Sequence, residues 1–83
     1  MWRITYDFTE KKEVDVRSFR FDEGKVDKLT ERFKLVDDDG IDYFEGVSSD
    51  SDSEEGFDPL DEYGVGFGCT TILYKRGDKW EEL

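Results

Sequence analysis

The stretch Arg32-Phe33-Lys34-Leu35-Val36-Asp37-Asp38-Asp39-Gly40-Ile41-Asp42-Tyr43-Phe44-Glu45 decides the fold. Apolar and polar residues alternate on both sides of an Asp-Gly pair, which is a strong local signal of a β-hairpin. Asp39 and Gly40 are then expected to form a two-residue type I′ loop with positive φ at both positions. The facing pairs across that loop are Val36 with Tyr43, Leu35 with Phe44 and Lys34 with Glu45. The stretch therefore predicts strands over residues 31–37 and 41–47.

The segment before this hairpin admits two interpretations. Val26, Leu29, Phe33 and Val36 also lie at helical spacing, and Asp22 is a suitable N-cap for a helix that would run through them. The alternation from Arg32 onward favours a strand there, so we expect at most a short helical turn near residues 23–29.

A second hairpin is predicted at the N-terminus. Trp2, Ile4, Tyr6 and Phe8 alternate with polar residues, as in a half-buried strand, and residues 9–12 can turn the chain. The alternation resumes with Val14 and Val16 and then changes parity at Phe19 and Phe21. A one-residue bulge near Ser18 would place all four of these residues on one face.

The C-terminal half is expected to hold a loop, an anchor and a third hairpin. Residues 48–56 offer nothing to bury and predict a mobile loop, which Phe57, Pro59 and Leu60 pin back to the core. Residues 64–68 predict irregular backbone with glycines at positive φ or close approach. Gly77-Asp78 separates two further strands. The chain thus predicts one mostly β domain over residues 1–83, with about six short strands in a small antiparallel sheet or partly closed barrel. The expected core is Trp2, Ile4, Tyr6, Val14, Phe33, Leu35, Phe44, Ile72 and Trp80.

Charge is distributed very unevenly along the chain. Residues 37–62 contain twelve carboxylates and no Lys or Arg, whereas the rest of the chain holds eleven acids and all twelve bases. The formal net charge of −11 therefore comes from one segment. Such a segment repels phosphate and anionic membranes and attracts basic protein surfaces, so we expect neither direct nucleic-acid binding nor membrane association. Halophilic adaptation would spread the charge over the whole surface.

Composition argues against catalysis and against tight metal binding. The chain has no His and one Cys, which removes the usual bases, nucleophile pairs and zinc ligand sets. An EF-hand registered on Gly40 places Leu35 at the first ligand position and Gly46 at the last, where a Glu is required. Only weak, millimolar calcium binding by the acidic cluster is expected. No cofactor is predicted. The single Cys69 and the absence of a hydrophobic leader indicate a reducing, cytoplasmic location.

Several motifs support the strand assignments by resemblance. They are Phe33 to Gly40 followed by Tyr43 to Gly46, then Phe57 to Asp61, Gly68 to Ile72 and the closing Gly77 to Trp80 hairpin. Over residues 31–83 the chain resembles small bacterial proteins that carry no assigned activity. In size and charge alone it also resembles the small acidic inhibitors made by phages, which imitate DNA.

These observations favour a non-catalytic binding protein that occupies a basic surface on a partner, such as a host nuclease or another nucleic-acid-binding protein. The alternative is a small structural or accessory domain whose acidity serves solubility or salt adaptation. The candidate partner-binding residues are the acids of the segment and the aromatics beside them: Asp37, Asp38, Asp39, Asp42, Tyr43, Asp50, Asp52, Glu54, Glu55, Phe57, Asp58, Asp61, Glu62 and Tyr63.

Overall fold

The computed structural model describes all 83 residues as a six-stranded antiparallel sheet with one face covered by short helical segments. The strands are β1 (Trp2–Asp7), β2 (Lys12–Arg17), β3 (Glu31–Val36), β4 (Asp42–Ser48), β5 (Thr71–Arg76) and β6 (Lys79–Glu82). Their order in the sheet is β2-β1-β4-β3-β5-β6. Three sequential hairpins therefore lie side by side, and β2 and β6 form the two open edges. The prediction of a mostly β domain with six short antiparallel strands is confirmed.

The central hairpin forms where the sequence predicts it, but its turn is of another type. Leu35 pairs with Phe44 and Lys34 with Glu45, as expected. Of the turn residues only Gly40 has positive φ, at +77°, and its N–H donates to the Asp37 carbonyl at 3.0 Å. This is a type I turn followed by a left-handed glycine, and it adds a bulge to β4. Val36 consequently pairs with Asp42, and the predicted pairing of Val36 with Tyr43 is wrong.

The N-terminal hairpin is also present, with its irregularity in a different place. The register of β1 shifts at Thr5 against both neighbouring strands, which moves Tyr6 to the face opposite Ile4. β2 ends at Arg17. The Ser18 hydroxyl accepts the Trp2 N–H at 3.1 Å, and Phe19 beyond it is fully exposed. The predicted bulge that would align Phe19 with the valines of β2 is therefore wrong.

Helical structure is confined to short segments. A 3₁₀ helix spans Glu23–Lys28, and the Asp22 carboxylate caps it by accepting the Gly24 N–H at 2.9 Å, in agreement with the predicted short turn. Between β4 and β5, a 3₁₀ helix at Glu54–Phe57, helix α1 at Asp58–Glu62 and a 3₁₀ helix at Gly64–Phe67 follow one another. We call these residues, 54–67, the helical cover.

The core lies between the sheet and the helical cover. It consists of Trp2, Ile4, Phe33, Leu35, Phe44, Leu60, Cys69, Ile72 and Tyr74. Val14, on the edge strand β2, is partly buried and packs against the core. Tyr6 and Trp80 do not belong to the core, so their predicted place in it is wrong. Tyr74, on β5, belongs to the core although the sequence did not single it out. It is fully buried, and its hydroxyl donates to the Gly56 carbonyl at 2.8 Å. Burial raises the pKa of Tyr74 to about 12.

The other face of the sheet carries cations around one aromatic ring. Trp80, opposite Lys75 in the pairing of β5 with β6, lies half-buried there. The ammonium groups of Lys34 and Lys75 are 4.6 and 5.2 Å from its ring centroid, and the Arg32 guanidinium is 5.6 Å away. Cation–π attraction and the aliphatic stems of these side chains replace a hydrophobic cover on this face.

Candidate functional site

Of the twelve carboxylates of residues 37–62, ten lie at the two ends of the sheet and on the helical cover between the ends, and two, those of Asp42 and Glu45, lie on strand β4. The turn from β3 to β4 lies at one end, and residues 49–53 lie at the other. The seven residues of β4 separate the two, which corresponds to roughly 20 Å of strand. Because the helical cover runs back across the core face, its acids connect the two ends. We call these twelve carboxylates the acidic band.

Within the turn, one carboxylate is structural and two point outward. The Asp37 Oδ1 atom accepts the backbone N–H groups of Asp39 at 2.9 Å and of Ile41 at 3.0 Å. Asp38 and Asp39 are exposed. Tyr43 lies half-buried beside the turn, where the charge of Asp37 and a hydrogen bond to it raise the tyrosine pKa. Asp38 and Asp39 are therefore the acids of the turn that are free to meet a partner.

Asp42 belongs to the opposite face of the sheet. Its Oδ2 atom accepts a hydrogen bond from the Lys34 ammonium at 3.2 Å, and Glu45 is paired with Arg32 at 3.1 Å. Both carboxylates are neutralised by neighbours on the sheet, so the structure separates Asp42 from the other predicted acids of the turn.

The loop after β4 is held in place rather than left free, which corrects the expectation of a mobile segment with nothing to bury. Ser51 is buried, and its hydroxyl donates to Glu31 at 2.7 Å and accepts from Arg76 at 2.6 Å. Arg76 also donates to the Ser51 carbonyl at 2.7 Å and to Asp52 at 3.3 Å. Asp50 accepts from the Ser53 hydroxyl and from two backbone N–H groups, and the hydroxyl contributes most to lowering the Asp50 pKa.

The helical cover carries five acids above a buried anchor. Pro59 and Leu60 are buried, as the sequence predicts, but Phe57 is 37% exposed, so the prediction that it belongs to the anchor is wrong. The Ser53 hydroxyl caps the first turn by accepting the Glu55 N–H. Glu54, Glu55, Asp61 and Glu62 are exposed, Asp58 is half-buried, and Phe57 is more exposed than Tyr63.

Three of these acids line a cavity of about 360 Å³ at the end of the sheet where Met1 lies. Glu55, Asp58 and Glu62 face it together with the rings of Trp2 and Phe19. The Trp2 indole N–H donates to Glu62 at 2.9 Å, which orients that carboxylate. Burial, followed by the charges of Glu62 and Glu55, raises the pKa of Asp58. The cavity combines carboxylates with aromatic walls, a lining that suits the side chain of an arginine or lysine.

Nine of the twelve carboxylates of the acidic band have no basic group within 4.0 Å, since only Asp42, Glu45 and Asp52 are ion-paired. Six of the twelve Lys and Arg side chains are also unpaired, and all of them lie outside residues 37–62. Acids and bases are nevertheless not fully segregated, because Arg20 lines the same cavity as Glu55, Asp58 and Glu62.

Apolar side chains that the sequence did not single out lie beside the acids. Ile41 at the turn and Val65 and Phe67 in the helical cover are more than half exposed, at 57%, 58% and 53%. The Phe67 ring packs against Tyr63 and Phe44, with centroids 4.8 and 5.0 Å away, so it is rigidly supported. These exposed apolar residues were difficult to identify from the sequence, because Val65 and Phe67 alternate with glycines in a segment predicted to be irregular.

No three carboxylate or thiol groups converge so as to hold a metal ion. None of the helices combines the length and the hydropathy needed to cross a bilayer. Comparison of the chain with protein-family models, with curated proteins and with solved structures gave no match.

Cys69 is buried beneath the helical cover. Its pKa is raised to about 11 by burial and by the charge of Asp37. Since only the thiolate reacts, on the order of one molecule in a thousand is reactive at pH 8 even before access is considered.

We therefore expect Cys69 to react with a thiol reagent such as Ellman's reagent only as fast as the domain opens. Reaction with native protein should be slow and should accelerate steeply when urea is added. Complete modification of the native protein at the rate of a free thiol would contradict the buried position.

Proposed function

We propose that this protein is a non-catalytic inhibitor that uses the acidic band to occupy a basic, nucleic-acid-binding surface of a partner protein, in the manner of a phage DNA mimic with an anti-defence role in the cytoplasm. The observation that carries the proposal is that nine carboxylates stay unpaired although six basic side chains are available elsewhere in the same molecule. Because surface ion pairs contribute little to stability, these carboxylates can stay free for a basic partner at little cost to the fold.

The dimensions of the acidic band support this proposal. The two ends of the acidic band lie roughly 20 Å apart along β4. Duplex DNA of that length carries about 12 charges on both strands together, so the nine unpaired carboxylates give the band a charge density comparable with that of the duplex.

Two further features suit a protein partner. Ile41, Val65 and Phe67 supply exposed apolar contacts, and specific interfaces depend on such anchors more than on charges at the rim. The cavity at Glu55, Asp58 and Glu62 offers a place for one basic side chain of the partner. Because both ends of the acidic band are held by hydrogen bonds, little of its backbone needs to be ordered on binding.

The decisive experiment compares two variants with the same change in net charge. The band variant carries Asp38→Asn, Asp39→Asn, Glu54→Gln and Asp61→Asn. The control variant carries Glu13→Gln, Asp27→Asn, Asp78→Asn and Glu81→Gln, which are exposed, unpaired acids outside the band. Each variant and the wild type are immobilised and exposed to a lysate of the native host at low salt, and bound proteins are released with duplex DNA.

We expect the wild type and the control variant to retain the same nucleic-acid-binding protein. Addition of duplex DNA or of high salt should release this protein from both. The band variant should bind at least tenfold more weakly, because four charges aimed at the partner are lost. Equal weakening by both variants would show that only net charge matters. Absence of any DNA-releasable protein would favour the solubility role.

A further inference from the structure

A second cavity of about 360 Å³ lies on the other side of Met1, next to the 3₁₀ helix at Glu23–Lys28. Three basic side chains line it, those of Arg20, Lys25 and Lys28, along with the Ser49 hydroxyl. We call this the cationic cavity. It is separate from the acidic band except for Glu55, which lies on the border between the two cavities.

None of the three basic side chains has a carboxylate within 4.0 Å. The neighbouring acids are engaged in other contacts. The Asp22 carboxylate accepts the Gly24 N–H as the helix cap, and Glu23 is hydrogen-bonded to Arg17. The three basic side chains face two carboxylates in the lining, those of Asp22 and Glu55, so the cavity keeps a local excess of positive charge although the molecule as a whole is strongly negative.

We propose that the cationic cavity binds a phosphate group. A phosphate presents several oxygens and two negative charges, which match one planar guanidinium and two ammonium groups better than a single carboxylate does. The net charge of −11 repels anions at long range. The expected dissociation constant is therefore weak, on the order of 1 mM.

The phosphate can come from the free ion or from a phosphate ester. The adjoining cavity shares Arg20 with the cationic cavity and contains Phe19, whose side chain is completely exposed. An aromatic ring in that position can stack on a nucleobase, a contact that a free phosphate cannot make. Adenosine monophosphate and inorganic phosphate are therefore the two probes.

The test is a titration of the isotope-labelled protein with each probe, followed by NMR at constant ionic strength. We expect saturable shifts of the amide signals of residues 19–28. The double variant Lys25→Gln/Lys28→Gln should weaken binding about tenfold, and Arg20→Gln is an independent variant at the same site. The matched control is Lys11→Gln/Lys79→Gln, which removes two exposed, unpaired lysines elsewhere and should weaken binding less than about twofold.

Tighter binding of the nucleotide identifies an ester as the ligand, and equal binding identifies the free ion; either result supports the site. Shifts that do not saturate, shifts that sodium chloride reproduces, or equal losses in the site and control variants would overturn the proposal. Since all the substituted residues are exposed, a dispersed spectrum of each variant will verify that it is folded.

Discussion

Gly46→Ala should destabilise the domain by about 3 kcal/mol or more. A Cβ atom at this position would lie 2.2 Å from the Arg3 carbonyl oxygen and 2.7 Å from the Phe33 ring. The carbonyl cannot withdraw, because β1 is hydrogen-bonded between β2 and β4. A domain of this size has a total stability of about 4–12 kcal/mol, so the loss is a large fraction of it. Thermal unfolding followed by circular dichroism should show a midpoint lowered by roughly 15 °C.

Gly66→Ala is the matched control for this prediction. No heavy atom lies within 4 Å of a Cβ placed at Gly66, and its backbone does not have positive φ. The expected change is within about 0.5 kcal/mol. If Gly46→Ala were as mild as Gly66→Ala, β1 and β4 would have to lie further apart than described.

Arg76→Ala should cost about 2 kcal/mol and should release the loop that follows β4. The Arg76 guanidinium donates two short hydrogen bonds to Ser51 and lies within 3.7 Å of Glu31. Without it, the buried Ser51 carbonyl loses a charged donor. Amide exchange of residues 51–53 should then accelerate well before global unfolding, which NMR can measure residue by residue.

Arg76→Lys separates the charge of this side chain from its geometry. A lysine keeps the positive charge but cannot form the two parallel hydrogen bonds of a guanidinium, so it should restore less than half of the loss. Lys79→Ala, at an exposed and unpaired position on β6, should leave both stability and loop exchange unchanged. Slow exchange of residues 51–53 in Arg76→Ala would show that other contacts hold the loop.

The alternation of residue types was sufficient to predict the fold class and the strand positions, and it failed where the backbone departs from regular pairing. Strand positions and most of the register of the central hairpin follow from alternation and an Asp-Gly turn. The bulge at Thr5 could not be predicted, because Tyr6 and Phe8 continue the pattern without interruption. The prediction that Trp80 belongs to the core failed for a different reason. Its ring is in contact with the cations of Arg32, Lys34 and Lys75, which only the folded sheet brings together.

The acidic residues of the candidate site were evident from composition, but their division of roles was not. The hydrogen bonds of Asp37 and the ion pair of Asp42 depend on the turn type, and the sequence predicted a type I′ turn where the structure has a type I turn followed by a left-handed glycine. The ordering of the loop depends on Arg76, which lies 25 residues beyond Ser51 in sequence. Contacts of that sequence separation leave no local pattern.

The side-by-side arrangement of three hairpins has a consequence for how the domain folds. Each hairpin closes a short loop, which is a fast step, but a lone hairpin is only marginally stable in water. The slow steps are therefore the two junctions, β1 with β4 and β3 with β5, both of which involve the central hairpin. We expect the transition state to contain the central hairpin with one neighbour docked. Mutations in β3 and β4 should slow folding, whereas mutations in the edge strands β2 and β6 should mainly accelerate unfolding.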